Sequence, residues 1–122
     1  MTDFLPDKPI YQQIIDKICG EILKKNVMPG EKLPSVREYA MELGVNANTI
    51  QRVYRELELM KLTETKRGQG TFVTEDIHRL ELLRQEMMNS LVESFIQQME
   101  SFGFKEEEVL EQLSNWKERD SR

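Results

Sequence analysis

The chain has 122 residues, 39% of them hydrophobic and 32% charged, enough for one modest core with an appendage and too little for two independent domains. Its single cysteine, Cys19, excludes an intramolecular disulfide and a cysteine metal cluster; no apolar run approaches the roughly 18 residues of a membrane span, and the start MTDFLPDKPI lacks the basic and apolar regions of an export signal, so a soluble cytoplasmic protein is expected. The net charge of −5 argues against a nucleic-acid partner only until it is located: residues 1–75 carry 11 Lys/Arg against 11 Asp/Glu, whereas residues 76–122 carry 6 against 11.

Pro9 suits the first turn of a helix, and Tyr11, Ile14, Ile15, Ile18, Ile22 and Leu23 recur behind it at helical spacing. This first helix carries Cys19 as a core residue and ends before Met28-Pro29-Gly30. The stretch Gly30-Glu31-Lys32-Leu33-Pro34 is too short for a helix and reads as a turn and brief extended connector. Ser35 and Glu38 then spell a capping box, each able to satisfy the other's backbone N–H. Val36, Tyr39, Ala40 and Leu43 supply the apolar stripe of a helix about two turns long, and Gly44 stops it. Val45 can tuck inward and Asn46 can cap a third helix, which carries Ile50, Val53, Tyr54 and Leu57 on one face. Two short helices joined by a tight glycine turn predict a helix-turn-helix. The β-branched segments Leu62–Lys66 and Thr71–Thr74 flank Arg67-Gly68-Gln69-Gly70 and predict a hairpin, placed where a wing belongs. From Ile77 to Phe102 the period is helical again, with Leu80, Leu83, Met87, Met88, Leu91, Val92, Phe95, Ile96 and Met99 on an arc too wide for one neighbour. Gly103 and Phe104 end that helix, Glu106-Glu107-Glu108 favour a new N-terminus, and Val109, Leu110, Leu113 and Trp116 form the apolar side of the last helix. The final four residues, Arg119 to Arg122, are expected to fray. The expected fold is mainly α with a small β-hairpin: a winged helix-turn-helix domain over residues 8–76, then a two-helix dimerisation extension over residues 77–122.

Chemistry concentrates on the third helix. At 100° per residue, Asn48, Gln51, Arg52 and Arg55 share the side opposite its core face. Asn and Gln can bond adenine bidentately and Arg can bond guanine, so this side carries groups able to read base edges, although a solvated face is the commoner origin of such a stripe alone. Arg37 stands near a helix N-terminus, where a cation has no dipole reason to be. It either meets a phosphate or pairs with Glu38 or Glu42. In the wing, Arg67 can reach phosphate or the minor groove, and Gly68 and Gly70 permit positive φ and close backbone approach, or simply make the turn. His78, the lone histidine, has no partner for metal binding or catalysis, and no cluster of nucleophile, base and orienting group can be assembled, so an enzyme is not expected and neither is a cofactor.

Four segments in this order and spacing, Lys8-Pro9-Ile10-Tyr11-Gln12-Gln13-Ile14, Met28-Pro29-Gly30-Glu31-Lys32-Leu33-Pro34-Ser35-Val36-Arg37, Leu43-Gly44-Val45-Asn46-Ala47-Asn48-Thr49-Ile50 and Arg67-Gly68-Gln69-Gly70-Thr71-Phe72-Val73, strongly resemble the GntR family of bacterial winged-helix regulators. The short C-terminal extension resembles that of the YtrA subfamily, which implies dimerisation through it and no large effector-binding domain. The resemblance further implies phosphate contact by Arg37, base or backbone contacts by Asn46, Asn48, Thr49, Gln51 and Arg52, and a minor-groove contact around Gly68. Ala47 stands where many relatives have Pro or Arg, and Gln51 where many have Arg, which leaves the operator sequence open. With Ser35, Arg67, Gln69 and Gly70 added, these are the expected DNA-facing residues; Leu80, Leu83, Met87, Leu91, Phe95, Met99, Leu113 and Trp116 are the expected pairing residues. The expected function is that of a transcriptional regulator, a repressor, bound as a homodimer to an inverted-repeat operator; the resemblance suggests a transporter operon under its control. A winged helix that binds RNA or a protein partner is the alternative, and nothing in the residues indicates a small-molecule effector.

Overall fold

The computed structural model describes Phe4 and residues 6–120. Five helices and one two-stranded antiparallel sheet follow in the order α1 (Ile10–Leu23), α2 (Val36–Leu43), α3 (Ala47–Leu59), β1 (Thr63–Lys66), β2 (Gly70–Val73), α4 (Ile77–Ser101) and α5 (Glu106–Asp120). The chain divides into two compact units, Met1–Leu83 and Arg84–Arg122, so the division falls inside α4 and its first turns belong to the first unit.

In the first unit each helix boundary has a local cause. Pro9 stands at the N-cap of α1, just before the first helical residue, and its carbonyl accepts from the N–H groups of Gln12 and Gln13 at 3.1 and 3.2 Å. The capping box of α2 is complete: Ser35 Oγ accepts from the N–H of Glu38 at 3.1 Å, and Glu38 Oε1 accepts from the N–H of Ser35 at 3.0 Å. Gly44 ends α2 at φ 68°, ψ 37°, a left-handed conformation that costs a residue without a Cβ nothing. The N–H of Val45 then returns to the Ala40 carbonyl at 3.0 Å, closing the glycine turn between α2 and α3. Asn46 caps α3, its Oδ1 accepting from the N–H of Asn48 at 2.7 Å.

The core is built from the faces that the spacing marks out. Ile14, Ile15, Ile18, Cys19 and Ile22 of α1 are buried with Tyr39, Ala40 and Leu43 of α2 and Ile50, Val53, Tyr54 and Leu57 of α3, and Leu33, Leu62, Val73 and Leu83 complete the cluster. Burial pushes the Tyr54 phenol upward, and its O–H donates to the Pro34 carbonyl at 2.7 Å, tying α3 to the connector. The Tyr39 ring stacks on Tyr54, with centroids 6.4 Å apart. β1 and β2 pair with Thr63 opposite Val73 and Lys66 opposite Gly70. The connector runs along the free side of β2: Leu33 N–H donates to the Thr71 carbonyl at 2.8 Å, and a bridge joins Lys32 to Phe72. The wing is thereby anchored to the core on both sides of β2.

In the second unit α4 ends through Gly103, with the N–H of Phe104 returning to the Met99 carbonyl at 3.0 Å. α5 opens on Glu106, Glu107 and Glu108 and closes on Lys117 and Arg119, each charge placed favourably for the helix dipole. Arg119 and Asp120, expected to fray, continue α5; the last two residues of that expectation lie outside the described set.

Candidate nucleic-acid interface

The reading face of α3 follows from its burial. Ile50, Val53, Tyr54 and Leu57 are at most 7% exposed, while Asn48, Gln51, Arg52 and Arg55 are all exposed on the other side and Thr49 is half-buried between. One helix thus spends one face on the core and offers amide and guanidinium groups along the other, the donor and acceptor types that can pair with base edges in a major groove. Asn46 commits its side-chain oxygen to the cap and keeps its amide donors.

At the start of α2, Ser35 and Arg37 are both exposed. Glu38 turns its carboxylate to Ser35, whose hydrogen bonds, the backbone N–H first, hold that carboxyl below its ordinary range. Among the described residues Arg37 forms no ion pair, so neither Glu38 nor Glu42 neutralises it. The Ser35 hydroxyl accepts from the Glu38 N–H through its oxygen and also bonds the Glu38 carboxylate, so the capping pair is closed on itself. A helix N-terminus with an exposed guanidinium beside it is suited to an anion.

In the wing, Arg67, Gly68 and Gln69 are exposed, and Gln69 N–H donates to the Lys66 carbonyl at 2.9 Å to close the turn. Gly70 has φ 124°, and a Cβ there would lie 2.7 Å from Lys32 Cε, so the lysine stem crosses the strand directly over the missing side chain. Lys66 Nζ rests 4.9 Å from the centre of the Phe72 ring. Lys32 and Lys66 therefore join Arg67 on the wing as a basic group that the sequence reading did not include. The alternation around Phe72 could have suggested Lys66; nothing local points to Lys32, which arrives through the connector's pairing with β2.

Two further placements differ from simple expectation. Arg52 does not extend freely: its Cζ lies 3.6 Å from the centre of the Tyr11 ring in α1. Leu83, expected on a pairing face, is 2% exposed and belongs to the core of its own chain, which leaves it no surface for a partner. Of the remaining expected pairing residues, Leu80, Met87 and Met99 are half-buried, and Leu91, Phe95, Leu113 and Trp116 are exposed.

Comparison with known proteins agrees with this geometry. The family model "Bacterial regulatory proteins, gntR family" matches residues 10–73. The HTH-type transcriptional regulator YhcF of Bacillus subtilis is 44% identical over 117 residues, spanning 96% of this chain and 97% of that protein. The HTH-type transcriptional repressor YtrA of the same organism is 47% identical over 68 residues, 56% of this chain and 52% of its own. Among solved structures, a GntR family transcriptional regulator from Listeria monocytogenes superposes with a TM-score of 0.86 at 41% identity, covering 92% of this chain and 98% of that one. The DNA-binding domain of AraR, solved in complex with operator ORX1, superposes with a TM-score of 0.54 at 28% identity over 61% of this chain and 92% of its own. The resemblance in the sequence segments is thus matched over the whole winged-helix domain and, in YhcF and the Listeria protein, over nearly the whole chain. The chain belongs to the GntR family of bacterial regulatory proteins, DNA-binding transcriptional regulators rather than enzymes.

Proposed function

We propose that this regulator is a repressor that binds an inverted-repeat operator as a homodimer, with α3 in the major groove, the N-terminus of α2 on a phosphate and the wing along the flanking backbone. The observation that carries the reading is the division of α3 into a buried apolar face and an exposed face bearing Asn48, Gln51, Arg52 and Arg55. Pairing is supported by the second unit. None of residues 84–120 is buried, Phe95, Leu113 and Trp116 are 36%, 52% and 59% exposed, and these three line a cleft of about 1050 Å³ between α4 and α5 together with Met99, Phe104 and Val109. A contiguous apolar surface of this kind is an aggregation liability in a monomer, and two-fold pairing is the commonest way to cover it. Two-fold symmetry in the protein asks for two-fold symmetry in the operator. Repression is supported by the likeness to YtrA, named a repressor; a transporter operon as the target rests on the sequence resemblance alone. No helix among the described residues is long and apolar enough to cross a membrane, consistent with a protein that meets DNA in the cytoplasm.

Selection from random duplex DNA, followed by footprinting with purified ligand-free protein, tests the reading. The expected result is an inverted repeat whose half-site centres lie about one helical turn, or a small multiple, apart. Enrichment of an unpaired site, or no enrichment of any duplex, overturns it. Light scattering of the intact protein at micromolar concentration should give the mass of two chains of 14.4 kDa; a monomer that protects the operator fully would refute the pairing.

A further inference from the structure

α1 is absent from the reading of the operator given above, yet it touches the reading face at one point. The Cζ atom of Arg52 lies 3.6 Å from the centre of the Tyr11 ring, and α1 packs directly on α3. At that separation the guanidinium lies flat on the ring, because an edge-on approach with an N–H aimed at the ring would hold Cζ farther away. The ring face uses the cation's charge and none of its five N–H donors, which all point outward in the guanidinium plane. No carboxylate competes for them: Arg52 forms no ion pair among the described residues, and Asp16, one turn along α1 from Gln12, is occupied by Lys8 Nζ and by Gln12 Nε2 at 3.1 Å.

We propose that Tyr11 is a positioning residue that sets operator specificity through Arg52, holding the guanidinium on its ring so that the free edge meets a guanine. The inference rests on the reading of α3 as the recognition element. A loose arginine must lose its rotamer freedom on binding and can reach phosphates in several directions; one already laid on a half-buried ring has lost most of that freedom and presents one edge in one direction. Preorganisation of this kind favours the base that matches the edge over those that do not, so it acts on discrimination more than on overall affinity.

The test is a double-mutant cycle read on duplexes carrying each base at every half-site position. Arg52→Ala should lower affinity for the matched operator about tenfold or more and relax the preference at one position. Tyr11→Leu should relax the same position, Tyr11→Phe, which keeps the ring face, should restore the preference that Leu loses, and the Tyr11→Leu/Arg52→Ala pair should lose no more than Arg52→Ala alone. Discrimination is read as a ratio of affinities for matched and mismatched duplex, so a smaller folded fraction in any variant cancels. If Arg52→Ala relaxes a position and Tyr11→Leu does not, or if the two losses add, the positioning role is refuted while α3 remains the reader. If Phe fails as badly as Leu, the hydroxyl rather than the ring face matters and the proposal falls. If Arg52→Ala relaxes no position, Arg52 is no base reader and the inference falls with that part of the reading.

Discussion

Ser35 holds two roles that substitution can separate. Its oxygen caps α2 by accepting from Glu38 N–H at 3.1 Å, and the same exposed hydroxyl stands at the helix end that we place on a phosphate. Ser35→Ala removes both, leaving an eight-residue helix without its N-cap acceptor. Loss of such a cap costs about 1 kcal/mol, and for a unit of this size the unfolding midpoint should drop by about 4–8 °C. Ser35→Asp keeps an acceptor that caps as well as serine and suits the helix dipole, so the midpoint should stay within about 2–3 °C of the parent. It also sets a negative charge against the proposed phosphate, a repulsion of about 1–4 kcal/mol at contact distance, which lowers operator affinity about fivefold at the least. The two variants should therefore cross, with Ala the less stable and Asp the weaker binder. Thermal melts by circular dichroism and operator titration at fixed salt measure the two effects. Ser35→Asp that binds like the parent would refute the placement of this helix end on the backbone of DNA. An unchanged midpoint for Ser35→Ala would refute the cap's contribution. The capping box adds a pH signature. Glu38 is held below its ordinary value by Ser35, so its share of stability is fully present above about pH 4.5 and is lost as pH falls through the lowered folded value.

Arg37, exposed and without a carboxylate partner, should act on charge alone: Arg37→Ala should weaken matched and mismatched duplexes alike and reduce the slope of log affinity against log salt by about 1. A loss confined to the matched operator would show a base contact instead. Gly70→Ala must hold φ 124° and push aside the Lys32 stem 2.7 Å from the new Cβ; it should cost about 1 kcal/mol or more of stability and weaken DNA binding through the displaced wing, and a variant matching the parent in urea titration and operator binding would contradict this.

The helical elements are legible in the sequence because their signals are local. Ser35 and Glu38 are three residues apart, Gly44 follows the last apolar residue of α2, and the 3.6-residue period of Ile50, Val53, Tyr54 and Leu57 marks the buried face of α3 without reference to anything else in the chain. What the sequence does not carry is contact between distant segments. Lys32 reaches the wing because the connector pairs with β2, and Tyr11 meets Arg52 because α1 packs on α3; each pair is about 40 residues apart, and no periodicity links them. Leu83 illustrates the same limit in reverse. Its place in the stripe of α4 marks it as apolar and inward, but whether inward means its own domain or a second chain is decided by tertiary packing.

The stripe along α4 serves two ends. Its first turns give Leu83 to the core of the first unit, and beyond Arg84 no residue of the same helix is fully buried in the single chain. The first unit has a complete core of helical and strand residues, so it can meet the entropic cost of folding by itself. In the second, every large apolar side chain among the described residues is at least partly exposed, which is why we propose that it folds against a second copy. Under the proposed pairing, folding of α4 and α5 and association of two chains are one event. The acidic surplus of residues 76–122 then takes on a use, since it repels phosphate and leaves the neutral winged-helix unit, with Arg37, Lys32, Lys66 and Arg67 exposed at its edge, as the part of the protein that DNA attracts. Joining two such units lets each raise the local concentration of the other at its half-site, so a modest contact per unit suffices for a firm hold on a two-fold operator and little on a single half-site.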